Sequence, residues 1–122
     1  GHDTRYLEEG WCEPEPWGIW SCENTAVLAF GEDLPERFSL MLNARAFGPA
    51  AGADITVSTR NSSKTVQLTD SASPIQIPLS GGSGSKEIRF SIPTTASPKD
   101  LGINTDPRQL GIGVEWIVIA PD

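Results

Sequence analysis

The chain has 122 residues, enough for one domain, and nine basic and sixteen acidic side chains give it a net charge of −7. This charge disfavours nucleic-acid binding, which requires a basic face, and electrostatic docking on anionic lipid. Hydrophobic residues make up 38% of the chain, and no apolar run approaches the ~20 residues of a transmembrane helix.

The first two residues have the composition of a cleaved affinity tag. His2 is the only histidine and directly follows Gly1, a pair that commonly remains at the start of a processed chain. We therefore expect residues 1–2 to be a tag remnant and residues 3–122 to be one domain taken from a longer protein. Without a native histidine, the chain lacks the base of Ser-His-Asp and Cys-His catalysis and most zinc sites.

The two cysteines, Cys12 and Cys22, bracket a short loop that contains two prolines, two tryptophans and a glycine. Two cysteines cannot complete a structural zinc site, and their spacing is not that of a Cys-x-x-Cys redox motif. We predict a disulfide, which indicates the periplasm, the cell surface or secretion. The alternative is a pair of buried thiols in a cytosolic protein.

Seven short runs have the composition or the alternation of β-strands, and no stretch has helical periodicity. They span residues 26–30, 37–47, 54–60, 64–69, 74–79, 86–92 and 112–119. Turn-forming residues separate them. Strands at this spacing predict an all-β fold, an antiparallel, jelly-roll-like β-sandwich of about 7–8 strands.

Two of these runs bear on function. In run 37–47, Arg45 lies opposite the apolar face formed by Leu40 and Leu42, where it is either solvated or directed at a ligand. The last run is apolar on both faces, which predicts a central strand. Simple alternation places its residues on two faces, Ile112, Val114, Trp116 and Val118 on one, and Ile117 and Ile119 on the other.

Residues 6–24 and 93–109 do not fit the strand pattern, and long irregular segments in compact domains are commonly functional or structurally pinned. The first contains Trp11, Trp17 and Trp20 beside Glu13 and Glu15. An indole ring can stack on the apolar face of a sugar while carboxylates accept hydrogen bonds from its hydroxyls, and nearby prolines reduce the ordering cost. The alternative is that these tryptophans cover the core of the sandwich.

The second irregular segment carries a carboxylate and a guanidinium two residues apart, Asp106 and Arg108. Arg108 can bind a carboxylate or neighbouring sugar hydroxyls. Asp106 could cap a turn, or join Asp100 and Asn104 as oxygen ligands of a structural calcium, although the spacing is not that of an EF-hand. The alternative is a loop held by its own ion pair. No other cofactor or metal is predicted.

The stretches GWCEPEPWGIWS, AVLAF, LMLNARAFGP and SPKDLGINTDPRQLGIGVEWIVI together resemble a known family. It is the small C-terminal β-sandwich domain of bacterial membrane glycosyltransferases and periplasmic phosphoglycerol transferases. The first pattern matches at Gly10, Trp11, Pro14, Glu15, Trp17, Gly18, Trp20 and Ser21. The second matches at Ser97, Pro98, Leu101, Gly102, Asp106, Arg108, Leu110, Gly111 and Ile112. The resemblance implies a non-catalytic accessory domain outside the membrane that holds glycan, and the cysteines are not part of it.

These observations predict a carbohydrate-binding module of a bacterial periplasmic or cell-surface glycan-assembly enzyme. Its expected partners are an oligosaccharide or polysaccharide and the parent membrane enzyme, with no nucleic acid and no membrane insertion by this domain. The predicted sugar-binding residues are Trp11, Glu15, Trp17, Trp20, Arg45, Asp106 and Arg108. One alternative is a structural domain that docks on its parent without a ligand of its own. Another is a hydrolase that uses Glu13 or Glu15, with each other or with Asp106, as paired carboxylates.

Overall fold

The computed structural model describes residues 6–81 and 84–122, so the predicted tag remnant at residues 1–2 lies outside the described residues. The described residues form eight strands and one short 3-10 helix at Gly48–Ala50. The strands are β1 (Ile19–Trp20), β2 (Thr25–Ala29), β3 (Phe38–Ala46), β4 (Ile55–Ser58), β5 (Ser63–Val66), β6 (Ser73–Leu79), β7 (Glu87–Ser91) and β8 (Ile112–Pro121). No helix within these described ranges is long and apolar enough to span a membrane.

The strands form two four-stranded antiparallel sheets. The first sheet has the order β1-β8-β3-β6 and the second has the order β2-β7-β4-β5. Every connection except the β4–β5 hairpin crosses from one sheet to the other, which is the connectivity of a jelly roll. The predicted all-β sandwich is therefore confirmed, and each of the seven predicted runs overlaps one of the strands β2 to β8. Strand β1 is additional and lies inside the segment 6–24 that was predicted to be irregular.

The core lies between the sheets and follows from the alternation of side chains along the strands. In β3 the inward residues are almost fully buried, and they are Phe38, Leu40, Leu42, Ala44 and Ala46. They pack in one cluster with the inward residues of the second sheet, which include Ile55, Val57, Ile88 and Phe90. The predicted faces of β3 are confirmed, and Arg45 therefore points away from the core.

A β-bulge in β8 changes which of its residues face the core. Asn43 pairs with Trp116, and the next residue, Ala44, pairs with Val114, so Glu115 has no partner of its own on β3. An extra residue in one strand reverses the alternation beyond it.

As a result, Ile112 and Val114 face inward before the bulge, while Trp116 and Val118 face outward after it, with 45% and 48% of their surfaces exposed. The prediction that these four residues share one face is therefore wrong. The predicted position of the strand is confirmed, because β8 lies between β1 and β3.

Candidate functional site

The disulfide-bonded segment forms a hairpin on the surface of the first sheet. Cys12 and Cys22 are joined, as predicted, and the Cys12 N–H donates to the Trp20 carbonyl at 2.9 Å. At the tip, the backbone N–H groups of Glu15 and Gly18 each donate to the other's carbonyl, at 2.8 and 3.1 Å. The turn between them contains Pro16 and Trp17, and a proline presets the backbone angle that such turns require.

Two glycines let this hairpin lie directly against β8. A Cβ on Gly18 would lie 2.2 Å from the Val114 carbonyl oxygen. A Cβ on Gly113 would lie 2.9 Å from the Trp20 ring and 3.2 Å from the Trp17 ring. Only glycine permits such close approaches, so both tryptophans lie over β8 on the outer face of the first sheet.

Arg45 and three aromatic rings form a cluster at this place, which we call the tryptophan cluster (Trp17, Trp20, Arg45 and Phe47). The Arg45 guanidinium lies 4.9 Å from the centre of the Trp17 ring and 4.7 Å from that of Trp20. The two indoles meet edge to face at 5.3 Å, and Trp20 meets Phe47 in the same way at 5.9 Å. Arg45 is thus bound to the tryptophans by cation–π attraction. Trp20 retains only 9% exposure.

Trp11 lies apart from this cluster. Its indole Nε1 donates a hydrogen bond to the Val27 carbonyl at 2.9 Å, and its ring contacts Phe90 edge to face at 6.0 Å. Trp11 therefore packs against the core, as the alternative for the tryptophans anticipated.

The second irregular segment meets the hairpin through Arg108. Arg108 donates from Nε to Asp106 Oδ1 at 3.0 Å and from Nη2 to Asp106 Oδ2 at 2.7 Å. Its Nη1 lies 3.7 Å from Glu15 Oε2, a buried oxygen with no hydrogen-bond partner among the described residues. The alternative of a loop held by its own ion pair is confirmed. The same contacts bring Glu15, Asp106 and Arg108 together.

This arrangement shifts the pKa of both charged partners in the loop. The Arg108 guanidinium and backbone N–H lower the pKa of Asp106 below its usual value. The hydrogen bond from Asp106 raises the pKa of Arg108. Because Arg108 contacts the carboxylates of both Glu15 and Asp106, a glycosidic bond has no open gap between them of the kind that paired-carboxylate hydrolysis needs.

Two of the three residues considered for calcium, Asp106 and Asn104, already use side-chain oxygens in hydrogen bonds within the loop. Both Asp106 oxygens accept from Arg108, and Asn104 Oδ1 accepts from the Asp106 N–H at 2.7 Å. Asp106 also caps its turn by accepting from the Arg108 N–H at 3.0 Å. Within residues 6–81 and 84–122, no group of three or more His, Cys, Asp or Glu side chains is arranged to hold a metal ion. Calcium binding would require these contacts to be exchanged.

Trp116 is the candidate that analysis of the sequence missed. It faces outward from the first sheet in register with Asn43, whose amide donates a hydrogen bond to the Glu115 carboxylate. The neighbouring row holds Val118, Met41 and Gln76. Arg45 is two residues from Asn43 along β3, about 7 Å away. Trp116 therefore lies on the same face as the tryptophan cluster, and only the bulge at Glu115 places it there.

Asp106→Asn is expected to lower the free energy of unfolding at neutral pH but not in acid. A carboxyl group with a lowered folded-state pKa stabilises the fold above its unfolded pKa of about 3.9. That contribution disappears as the pH falls through the folded-state pKa. Urea unfolding of the original chain and the variant at pH 7 and pH 2.5 measures the difference. Asp100→Asn, an exposed change in the same loop, is the control. Equal destabilisation at both pH values would contradict the prediction.

The chain is similar to known proteins over nearly its whole length. Residues 4–121 match a family described as a domain of unknown function, DUF7024. The chain is also 29% identical over 114 residues to proteins named phosphoglycerol transferase I from Salmonella typhi, Salmonella typhimurium and Salmonella paratyphi B. The alignment covers 90% of this chain but 15% of each relative, so the chain corresponds to a small part of such a protein. Because the family match spans almost every residue, the chain belongs to the DUF7024 family.

Proposed function

We propose that this chain is a non-catalytic carbohydrate-binding domain of a larger bacterial membrane enzyme of glycan assembly. The glycan lies across the outer face of the first sheet, between Trp116 and the tryptophan cluster. The observation that carries the proposal is Trp116, a tryptophan with 45% of its surface exposed on a sheet face that also presents polar side chains. A large exposed aromatic group in such a place is typical of a binding surface.

The side chains around Trp116 have the chemistry that a sugar requires. Its indole offers an apolar face for a pyranose ring, while the amides of Asn43 and Gln76 and the carboxylate of Glu115 supply donors and acceptors. Asn43 is held by Glu115, and Gln76 donates to Ser39 Oγ at 3.1 Å. Because these polar groups are already oriented, ligand binding costs less side-chain entropy.

The tryptophan cluster forms the other end of the proposed surface. Trp17 is half-buried at the hairpin tip, and Arg45 is held between the two indoles. Beyond them, Glu15 and Arg108, whose Oε2 and Nη1 atoms lie 3.7 Å apart, add a carboxylate and a guanidinium that can bind ligand hydroxyls. The proposed site therefore keeps Glu15, Trp17, Trp20, Arg45, Asp106 and Arg108, adds Trp116 and leaves out Trp11.

The proposed setting is the periplasmic or extracellular side of a bacterial membrane. The Cys12–Cys22 disulfide supports it, because such bonds persist in oxidising compartments. The relatives named phosphoglycerol transferase I, of which the alignment covers 15%, support a place in a larger transferase. In that enzyme the domain holds glycan while another part performs the chemistry.

Trp116→Ala is expected to weaken glycan binding by about tenfold or more, because it removes the exposed stacking surface. The measurement is a titration of tryptophan fluorescence with bacterial surface oligosaccharides, and calorimetry supplies the affinity of the variant. Thr65→Ala, an exposed change on β5 of the second sheet, is the matched control and should bind as the original chain does.

One result of this titration would contradict the proposal of glycan binding. No saturable response to any oligosaccharide, with Trp116 accessible to a neutral quencher, would exclude glycan binding at this face.

Docking on the parent enzyme is the second candidate function, and two exposed apolar side chains in loop 97–110 favour it. Leu101 and Ile103 are 48% and 60% exposed, as expected for residues that another surface covers.

A further inference from the structure

A polar cleft of about 340 Å³ opens beside the second sheet, away from the proposed glycan surface. Its cationic residues are Arg60, Lys86 and Arg89, and Ser58 and Ser85 are among the polar residues between them. We call it the basic cleft. Arg89 pairs in register with Ser58, next to the inward pair Phe90 and Val57, so Arg89 and Ser58 lie on the outward face of the sheet. The volume is that of a small-ligand site.

The concentration of positive charge here is unusual for this chain. Three of its nine basic side chains line one cleft, although the net charge is −7. Arg60 forms no ion pair within the described part of the chain. Its guanidinium lies against Gly84, where an added Cβ would be 3.0 Å from an Arg60 terminal nitrogen. The lack of a side chain on Gly84 thus gives Arg60 room beside the cleft.

The other two cations form ion pairs with acidic side chains at the protein surface. Lys86 Nζ lies 3.3 Å from an Asp33 oxygen. Arg89 Nη1 lies 3.8 Å from Glu9 Oε1, and Arg89 Nη2 lies 3.9 Å from Glu87 Oε2. Both distances are beyond that of a hydrogen bond. All these side chains are about half exposed, and ion pairs of this kind contribute little to stability. Both cations can therefore exchange a carboxylate for an anionic ligand at small cost.

We propose that the basic cleft binds a phosphate ester group carried by a soluble ligand. Two guanidinium groups can each donate paired hydrogen bonds to phosphate oxygens, and an ammonium group adds a third positive charge. The hydroxyl of Ser58, which is half-buried, supplies a further donor. An anionic bilayer is the less favoured source of the phosphate, because the net charge of −7 opposes approach to it.

This proposal goes beyond glycan binding and does not depend on it. The basic cleft belongs to the second sheet, whereas the glycan surface is the outer face of the first. A ligand that carries both a sugar and a phosphate ester could bind at the glycan surface or at the basic cleft. The test must therefore distinguish recognition of the sugar from recognition of the phosphate group.

The test is an NMR titration of the isotope-labelled chain with glucose 6-phosphate and, separately, with glucose. The phosphate ester is expected to shift the amide signals of Arg60, Ser85 and Arg89 in a saturable way, and glucose is not. Arg60→Gln should weaken this binding by about fivefold or more, because it removes one charged donor pair. Glu87→Gln should tighten it by about two- to fivefold, because it removes the negative charge among the lining residues.

Lys64→Gln, which removes a positive charge elsewhere on the second sheet, is the control and should leave the affinity unchanged. Three results would overturn the proposal: equal shifts with glucose and glucose 6-phosphate, equal weakening by Lys64→Gln and Arg60→Gln, or binding only to phosphatidylglycerol vesicles. Shifts at Trp116 with glucose would concern the proposed glycan site alone.

Discussion

Replacing both Cys12 and Cys22 with serine is expected to lower the free energy of unfolding by about 2–3 kcal/mol. The bond closes a loop with a sequence separation of 10 residues, and cross-linking a loop of this length restricts the unfolded chain by about that amount. The hairpin it closes carries Glu15, Trp17 and Trp20, so the same change should also weaken glycan binding. Urea unfolding at neutral pH measures the stability.

The control for this prediction is the original chain under reducing conditions. Dithiothreitol should lower its stability to that of the double variant and should leave the double variant unchanged. If the double variant unfolds at the same urea concentration as the oxidised chain, the disulfide does not stabilise the fold.

Gly18→Ala is expected to lower the free energy of unfolding by about 2–3 kcal/mol, because a new Cβ must displace the backbone of an interior strand. That Cβ would lie 2.2 Å from the Val114 carbonyl oxygen and 2.9 Å from the Glu115 Cα. The hairpin would have to lift from β8, which would separate Trp17 and Trp20 from Gly113. We therefore expect a lower unfolding midpoint and a reduced near-ultraviolet circular dichroism signal from the paired indoles.

Gly31→Ala is the matched control, because a Cβ there meets no atom within 4 Å. It should leave both the unfolding midpoint and the aromatic signal unchanged. A Gly18→Ala variant with the stability and spectrum of this control would show that the hairpin does not rest on β8 as described.

The sequence by itself determined the local features of this protein. Composition and period-2 alternation located seven of the eight described strands. Alternation also correctly identified the inward residues of β3, because burial between two sheets requires one apolar face. Cysteine spacing predicted the disulfide, and the separation of Asp106 and Arg108 by two residues gave a loop held by its own ion pair as one alternative. Each of these inferences depends on residues close together in the chain.

Only the tertiary structure decided the composition of the candidate site. The bulge at Glu115 turns Trp116 outward, and simple alternation cannot reveal an extra residue that exists only relative to the partner strand. The local sequence does not distinguish Trp11 from Trp17. In the fold, Trp11 packs against the core and Trp17 contacts the Arg45 guanidinium. Glu15 meets Arg108 across the fold. These contacts follow from the pairing of distant strands, which sets the neighbours of each side chain regardless of their separation in sequence.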